Sequence, residues 1–374
     1  MMTRRKALGL LIGMAPLGWG LRRASAQTQS PSISSASGTW GHGGTVTITG
    51  SGFGAKSPAA PTVWDDCTGT NVLAKWDGAW PDTNGANYIL NYRTISAANG
   101  RSIATGPHTR VSKYLCGCHT PSSLDGADVA MWKTRTASLP MYLYLSYYYR
   151  MDPNWDFGDP SLRNQKMFAY ASGSTPYAQP YWYYEFRETW DTATDNSAQW
   201  YSPYNPGWGS HYDALYSPFQ NWMKIETEIR FATDSSGYVK IWENGSPSVN
   251  KTGIATDLNS GTVRTAAIAG YANPYGSTSQ WRYFNDVYFD WTLARVLLGN
   301  QSTYNNCTIR EAQIPTAWAD GSITVKVNLG KLPNTGTAYL YVVNTGGVVS
   351  ASQPITLSSQ ATIPSSPGSL RVVP

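Results

Sequence analysis

Aromatic and charged side chains alternate along one short segment in the middle of the chain. The segment YWYYEFRE places Tyr181, Tyr183, Glu185 and Arg187 two residues apart. Side chains at this spacing point to the same face of an extended strand, so these four would share one surface. Aromatic rings offer a large contact area at a small entropic cost, and polar groups beside them form hydrogen bonds. Such a surface is suited to contact with sugar rings and their hydroxyl groups.

Two neighbouring segments would extend this surface. The segment QKMFAY places Lys166, Phe168 and Tyr170 on one face of a preceding strand, and AQWYSPY adds Gln199 and Tyr201 after it. If the three strands are neighbours, we expect one continuous patch of aromatic, amide and charged groups. The alternative is that Glu185 and Arg187 form an ordinary ion pair and that the tyrosines pack inside a sandwich.

The region around these segments is rich in aromatic residues. Residues 141–222 hold 24 of the 49 Phe, Trp and Tyr residues of the chain. A hydrophobic core does not require this density, so we expect some of the rings to face outward.

The strands that must position these residues follow from short alternating runs between Gly, Pro, Asn and Asp turns. Charged residues make up only 14% of the chain, and no long stretch shows a helical period, so the composition predicts an all-β fold. Residues 222–231 alternate polar side chains, such as Lys224, Glu226 and Glu228, with apolar ones. This pattern predicts a strand with one solvent-exposed and one buried face.

The order of these segments resembles the concanavalin-like jelly roll. The resemblance rests on YLYLSYYYRMDPNWDF, W-x-K-I-E-x-x-I-R-F, G-x-V-K-I-W-x-N-G and D-V-Y-F-D, and it spans residues 67–290. Within that fold the chain looks most like the polysaccharide-lyase and laminin-G-like branches. The resemblance implies two packed sheets, one of which forms a concave groove for sugar chains.

The order of residues in these strands is a Lys, then Arg-x-x-Trp, then a Tyr. This order is similar to the pattern that lines the groove of jelly-roll polysaccharide lyases. On that resemblance Lys166 and Arg187 neutralise a uronate carboxylate, while Tyr201 serves as base and acid in β-elimination. The chain departs from the pattern where Glu185 would repel an anionic substrate. The Gln-x-His element is also absent, and His211, in the aromatic loop WGSHY, is the histidine of this region that we assign to substrate binding. No carboxylate pair with the spacing of a glycoside hydrolase is evident.

A second domain is predicted from the two ends of the chain. Residues 31–66 contain GGTVTITGSGFG, which resembles the opening of an IPT/TIG domain, an immunoglobulin-like sandwich. The remaining strands of such a domain are found in residues 291–357, in the runs ITVKVN and TAYLYVVN. We therefore expect one small sandwich interrupted by residues 67–290, since insertions are tolerated at exposed loops. Two separate small domains are the alternative, and residues 358–374 read as a linker-like tail.

The N-terminal segment predicts export. Arg4 and Arg5 precede an apolar run, and Ala24-Ser25-Ala26 offers a cleavage site, so residues 1–26 resemble a twin-arginine signal peptide. A secreted, extracellular or periplasmic location follows. The segment contains five of the 28 basic residues and none of the 23 acidic ones, so the mature chain would be neutral. Neutrality argues against nucleic acid as a partner, and no stretch has the length of a membrane span.

The four cysteines are compatible with two disulfides in an exported protein. Cys116 and Cys118 could form a local bridge, and Cys67 and Cys307 a long one. The cysteine spacing does not favour zinc. No cofactor is expected beyond a structural calcium, for which oxygen ligands could come from one of two aspartate groups. These are Asp152, Asp156 and Asp159, or Asp286 and Asp290, and turn formation is the alternative role for each.

Three functions are compatible with these features. The first is a secreted polysaccharide-binding protein with an aromatic concave groove. The second is a lyase that cleaves a uronate-containing polysaccharide by β-elimination. The third is an adhesive or structural protein whose aromatic surface contacts another protein. The sequence leaves the glycan and the oligomeric state open.

Overall fold

The computed structural model describes residues 30–80, 88–94, 106–119, 127–151, 164–176, 181–188, 196–201, 211–212, 221–257, 262–272 and 280–359. Over these ranges the chain forms 23 β-strands, numbered β1 to β23 along the chain, in four antiparallel sheets. The helices in this part of the chain are single 3₁₀ turns at Val72–Ala74 and Tyr304–Asn306, and neither could cross a membrane. The predicted all-β fold is confirmed. The predicted signal, residues 1–26, and residues 360–374 of the predicted tail lie outside the described residues.

Eight strands form the smaller of two sandwiches. One sheet has the order β1 (Ser32–Gly38), β2 (Thr45–Ser51), β21 (Ser322–Lys326) and β20 (Ile314–Ala319). The other has the order β19 (Arg310–Ala312), β18 (Arg295–Gly299), β22 (Gly336–Val343) and β23 (Gln353–Leu357).

The core of the small sandwich joins residues from the two ends of the chain. Val46 and Ile48 on β2 pair with Val325 and Ile323 on β21, and all four are buried. They pack against apolar residues of the facing sheet, including Leu340. Strands that are more than 260 residues apart in sequence therefore share one hydrophobic core.

The larger sandwich contains the remaining fifteen strands of the described part. Its seven-stranded sheet has the order β12 (His211–Tyr212), β11 (Asn196–Tyr201), β10 (Tyr181–Glu188), β9 (Asn164–Ala171), β16 (Val263–Ala272), β7 (Ala127–Thr136) and β4 (Gly78–Trp80). Its eight-stranded sheet has the order β15 (Ser246–Ile254), β14 (Gly237–Glu243), β13 (Met223–Phe231), β8 (Met141–Met151), β17 (Gln280–Asp290), β6 (Lys113–His119) and β5 (Tyr88–Thr94), with β3 (Val63–Asp65) also paired to β17.

The two large sheets enclose an aromatic core. Phe168 and Tyr170 of the seven-stranded sheet pack in one cluster with Tyr147, Phe231 and Phe284 of the eight-stranded sheet. All five side chains are at least 99% buried. Many tyrosines of the aromatic-rich region thus fill the sandwich interior and do not reach its surface.

The strand β13 corrects one prediction. Its polar side chains Lys224, Glu226 and Glu228, which we expected to face solvent, are nearly fully buried. The small sandwich covers them and supplies an oppositely charged partner to each. The pairs are Lys224–Glu311 at 2.6 Å, Glu226–Arg310 at 2.9 Å and Glu228–Arg295 at 2.8 Å. Charged groups remain ionised in a buried interface when such partners compensate them.

The long disulfide considered from the sequence is absent. Cys67 and Cys307 are both buried and unbridged, so the Cys67–Cys307 pairing does not form. Cys67 packs near the Phe284 carbonyl of the large sandwich, whereas Cys307 contacts Tyr341 of the small one. The side chain of Cys118 lies outside the described part of the structure, so the local Cys116–Cys118 bridge stays a prediction.

The aspartates considered for calcium have protein partners where they are described. Asp286 contacts the His108 Nε2 atom at 2.8 Å, and Asp290 contacts the Lys56 Nζ atom at 2.6 Å. No group of three or more His, Cys, Asp or Glu side chains that could hold a metal is present among the described residues. Asp152, Asp156 and Asp159 lie outside them.

Candidate functional site

The seven-stranded sheet has one face on the core and one face away from it. On β7, Met131 belongs to the core, so the neighbouring Trp132 points to the outer side and is half-buried. On β4, Ala79 belongs to the core and Trp80 is half-buried. The outer face of this sheet, which we call the trough, is the face that the aromatic patch was predicted to occupy.

The strand registers define a row of residues across six strands of the trough. The row is Gly78, Trp132, Ala267, Ala169, Tyr183 and Tyr201. Adjacent strands lie about 4.8 Å apart, so about 14 Å separates the backbone positions of Trp132 and Tyr183. Ala267 and Ala169 are fully buried and carry only methyl groups. The row therefore has small side chains at its centre, between tryptophan on one side and tyrosine positions on the other.

A pair of tryptophans forms one wall of the trough. The Trp80 and Trp132 rings have centroids 4.7 Å apart and planes inclined at 53°. Gly78 pairs directly with Trp132, and a Cβ at that position would overlap the indole ring. The glycine thus allows the ring to lie against β4, and the two indoles present a broad, half-buried aromatic surface.

Polar groups surround the tryptophan wall. The exposed Asp77 accepts hydrogen bonds from the Lys133 ammonium and the Thr134 backbone N–H. The Thr134 hydroxyl lies 3.0 Å from the Thr265 hydroxyl. The Thr265 hydroxyl in turn donates a hydrogen bond to the Gly173 carbonyl at 2.7 Å. This network fixes the edge of the trough and places hydroxyl and carboxylate groups beside the aromatic rings.

A β-bulge at Met167 determines which face Lys166 occupies. Phe168 pairs with Tyr184 and Lys166 pairs with Glu185, so Met167 is an extra residue in β9. Without the bulge, Lys166 would share the core face with Phe168. The bulge instead places Lys166 level with Glu185, on the side of the trough, where 7% of its surface is exposed.

Two buried donors from the opposite sheet hold the bulge. The Tyr147 hydroxyl donates to the Met167 carbonyl at 2.6 Å, and the Arg282 guanidinium donates to the Lys166 carbonyl at 2.9 Å. Both side chains are fully buried. A bulge leaves backbone groups without partners in the sheet, and these two contacts satisfy its carbonyls.

The predicted residues on β10 and β11 lie at adjacent backbone positions. Tyr183 pairs with Tyr201, and Glu185 pairs with both Lys166 and Gln199. Tyr181 and Arg187 occupy the same side of the β10 pleat as Tyr183 and Glu185. The side chains of the β10 and β11 residues lie outside the described part of the structure. The backbone thus brings seven of the nine predicted positions to one face of three neighbouring strands.

Two predicted binding residues are placed elsewhere. Tyr170 lies on the core face with 1% of its surface exposed, and its hydroxyl donates to the Thr256 carbonyl at 3.1 Å, so it cannot contact a ligand in the trough. His211 pairs with Trp200, whereas Tyr212 pairs with Gln199. His211 therefore occupies the opposite side of the pleat from Gln199 and Tyr201.

Trp80 and Trp132 were not among the predicted residues. The signal for Trp132 was present in its own strand, where the apolar Met131 alternates with Trp132 and Thr134. Its position in one row with Tyr183 depends on β16 and β9 lying between β7 and β10, an order that local patterns do not specify.

Comparisons with known proteins give loose matches of shape only. No protein-family model and no curated protein sequence matches the chain. An endo-β-1,4-glucuronan lyase from the fungus Trichoderma reesei is 14% identical, with a TM-score of 0.42 over 63% of this chain and 97% of its own. Alginate lyase Aly36B is 12% identical, with a TM-score of 0.37 over 47% and 80% of the two chains.

A glycoside hydrolase family 131 catalytic domain from Coprinopsis cinerea is 17% identical, with a TM-score of 0.34 over 61% of this chain and 93% of its own. All three TM-scores are below 0.5. At these values the likeness carries no information about function.

Proposed function

We propose that the trough binds a polysaccharide chain. The observation that carries this proposal is the row from Trp132 through Ala267 and Ala169 to the Tyr183 and Tyr201 positions. Aromatic groups on both sides of a row of small residues can contact the apolar faces of successive sugar rings, while the hydroxyl and carboxylate groups beside them bind sugar hydroxyls.

Retention on insoluble glycans tests this proposal. Trp132→Ala removes the half-buried indole, and we expect about tenfold weaker retention because an aromatic contact contributes on the order of 1 kcal/mol beyond buried area. Replacing Tyr181 and Tyr183 with alanine should weaken it further. Tyr339→Ala, which removes a partly buried ring of the small sandwich, is the control and should bind normally. Retention unchanged in all of these variants would contradict the proposal and favour a protein partner for the trough.

One observation favours cleavage in addition to binding. The bulge at Met167 brings Lys166 level with Glu185, between the backbone positions of Arg187 and Tyr183, and Tyr183 pairs with Tyr201. As a second candidate function we propose β-elimination of a uronate polymer. Lys166 and Arg187 would stabilise the charge that develops on the carboxylate, and Tyr201 would remove the C5 proton and then protonate the leaving oxygen.

An ultraviolet assay for unsaturated uronate products tests this second function. Alginate, glucuronan and related polymers should be compared with Tyr201→Phe and Arg187→Ala variants, both of which should lose activity by at least a hundredfold. Absence of product from every polymer would reject cleavage and leave binding as the function.

We also propose an organisation for the whole chain. Strands from residues 31–66 and 291–357 would form one domain of the IPT/TIG type, interrupted by the jelly-roll domain of residues 67–290. A twin-arginine signal in residues 1–26 would direct export, so the trough would meet its polysaccharide outside the cytoplasm. Mass spectrometry of the protein recovered from the exporting cell should show a new N-terminus after Ala26.

A further inference from the structure

A pocket of about 350 Å³ lies between the two sandwiches, on the opposite side of the large sandwich from the trough. The small sandwich contributes His42 and Lys326, and the large sandwich contributes Trp64, His108, Arg110 and Asp286. The volume is within the range of small-molecule sites, and most of the lining side chains are polar. None of these residues has a role in the trough.

The wall of this pocket contains unusual backbone geometry. Asp286 has a φ of 46°, and the pairing of β17 with β8 shifts between Asn285 and Tyr288. Cys67, close to the same strand, has a φ of 61°. Non-glycine residues in the left-handed region are strained, and such strain is concentrated at functional sites. The irregularity in β17 redirects the Asp286 carboxylate out of the strand and toward His108.

His108 is held with one ring nitrogen occupied and the other available. Its Nε2 atom lies 2.8 Å from the Asp286 carboxylate, which accepts hydrogen bonds only, so Nε2 carries a proton. Its Nδ1 atom is buried and has no hydrogen-bond partner in the described structure. The side chain is 6% exposed. An imidazole oriented in this way can accept a hydrogen bond at Nδ1 from a ligand hydroxyl.

Arg110 and Lys326 are the two cationic side chains of the pocket, whose lining also contains the carboxylates of Asp66 and Asp286. Arg110 donates to the Gly330 and Leu332 carbonyls and to the Asn334 side-chain oxygen, all of which are uncharged. Lys326 is exposed and forms no ion pair within the described residues. Partial burial and then the charge of Arg110 lower the pKa of His42, and the charge of Asp286 acts in the opposite direction.

The negative side chains of the pocket already have partners. Asp66 lies 3.6 Å from Lys75 and accepts hydrogen bonds from Thr68, and Asp286 is held by His108. Arg110 and Lys326, in contrast, form no ion pair with a carboxylate in the described part of the chain, so a ligand carboxylate could pair with them.

We propose that this interdomain pocket binds a small, hydroxyl-rich carboxylate, one or two sugar units in size. Arg110 and Lys326 would attract the carboxylate, His108 Nδ1 would bind a hydroxyl, and Trp64 would provide an apolar surface for the ring. The ligand could be a free acidic sugar or the end of an acidic polysaccharide, since both present the same chemistry. The proposal does not depend on the function of the trough.

Calorimetric titration of the full chain with D-glucuronate and D-glucose tests the site. Glucuronate should bind at least tenfold more tightly than glucose, which lacks the carboxylate. Lys326→Ala should weaken glucuronate binding roughly three- to tenfold without affecting folding, because the exposed Lys326 forms no ion pair with the residues that the structure describes. Lys251→Ala removes the same charge from the edge strand β15 and is the matched control.

Further variants and ligands distinguish this site from the trough. His108→Gln should weaken glucuronate binding, whereas Trp132→Ala should leave it unchanged even where retention on polysaccharide falls. A tri-glucuronate that competes with free glucuronate would identify a chain end as a ligand, and failure to compete would restrict the site to small sugars. Equal affinity for glucuronate and glucose, no binding of glucuronate, or normal binding by Lys326→Ala would overturn the proposal.

Discussion

The two outer faces of the large sandwich have similar sequence patterns and different environments. On β13 of the eight-stranded sheet, alternating Lys224, Glu226 and Glu228 are buried beneath the small sandwich and form ion pairs with it. On β7 of the seven-stranded sheet, Trp132 and Thr134 face away from the core and stay partly accessible. Alternation of polar and apolar residues therefore identifies the strand face that points away from the core, but it does not show whether solvent or another domain covers that face.

The chemistry of the two faces explains this difference. Burial opposes the ionisation of Glu226, but the charges of Arg310, Lys224 and Arg295 outweigh it and lower the pKa of the carboxyl. The Tyr144 hydroxyl also donates to Glu226 at 3.0 Å. The charges on β13 thus serve the contact between sandwiches, whereas the trough has aromatic and hydroxyl groups suited to a ligand.

The largest effect is expected from breaking the buried ionic contact. Arg310→Ala leaves the Glu226 carboxylate, which is 2% exposed, without its nearest cation. We expect the free energy of unfolding to fall by about 3–5 kcal/mol, measured by denaturant titration. Lys133→Ala, which breaks the more exposed pair with Asp77, should cost at most about 1 kcal/mol. Equal losses would show that the β13 charges are not a buried network.

A smaller loss is expected from removing support for the bulge. Tyr147→Phe leaves the buried Met167 carbonyl without its donor, which should cost about 1–3 kcal/mol of unfolding free energy and weaken glycan retention. Tyr288→Phe is the matched control, because the buried Tyr288 hydroxyl has no hydrogen-bond partner in the described structure. Normal glycan retention by Tyr147→Phe would show that the bulge does not contribute to glycan binding.

A second buried carboxyl group, that of Asp290, has a raised pKa. Burial raises the pKa of Asp290 to about 6, although the charge of Lys56 acts in the opposite direction. An unfolded aspartate titrates near pH 3.9, so the folded state binds an extra proton between about pH 4 and 6. Stability from this group is therefore present at low pH and is lost as the pH rises through 6.

Asp290→Asn removes this dependence because an amide does not ionise. Relative to the variant, the wild type should lose on the order of 1–3 kcal/mol of unfolding free energy between pH 4 and 7. Denaturant titrations at pH 4.5 and 7 measure the difference. A wild-type to variant difference that does not change with pH would disprove the raised pKa.

Local patterns predicted the strands but could not predict how distant elements meet. Alternation predicted a strand in residues 181–190 and a continuation of its patch at Gln199 and Tyr201, and the β10–β11 register places Tyr183 beside Tyr201. Lys166 and Tyr170 were expected on one face of the strand, but the bulge at Met167 places them on opposite faces. Its cause lies in the contacts of Tyr147 and Arg282 from the opposite sheet, which no local pattern contains.

Cysteine number was a poor guide for a similar reason. Four cysteines in an exported chain suggested pairing, but Cys67 and Cys307 belong to different sandwiches and each is buried among its own neighbours. The geometry of a disulfide is set by the tertiary structure, which a count of residues does not determine.

Hydrogen–deuterium exchange with and without saturating polysaccharide tests the central claim most directly, because it compares both faces of the large sandwich in one experiment. Binding in the trough predicts slower exchange at residues 127–136 and 164–171, with no change at residues 223–231 beneath the small sandwich. Protection confined to residues 223–243, or bound polysaccharide with no protection of β7 and β9, would contradict the assignment of the trough as the binding surface.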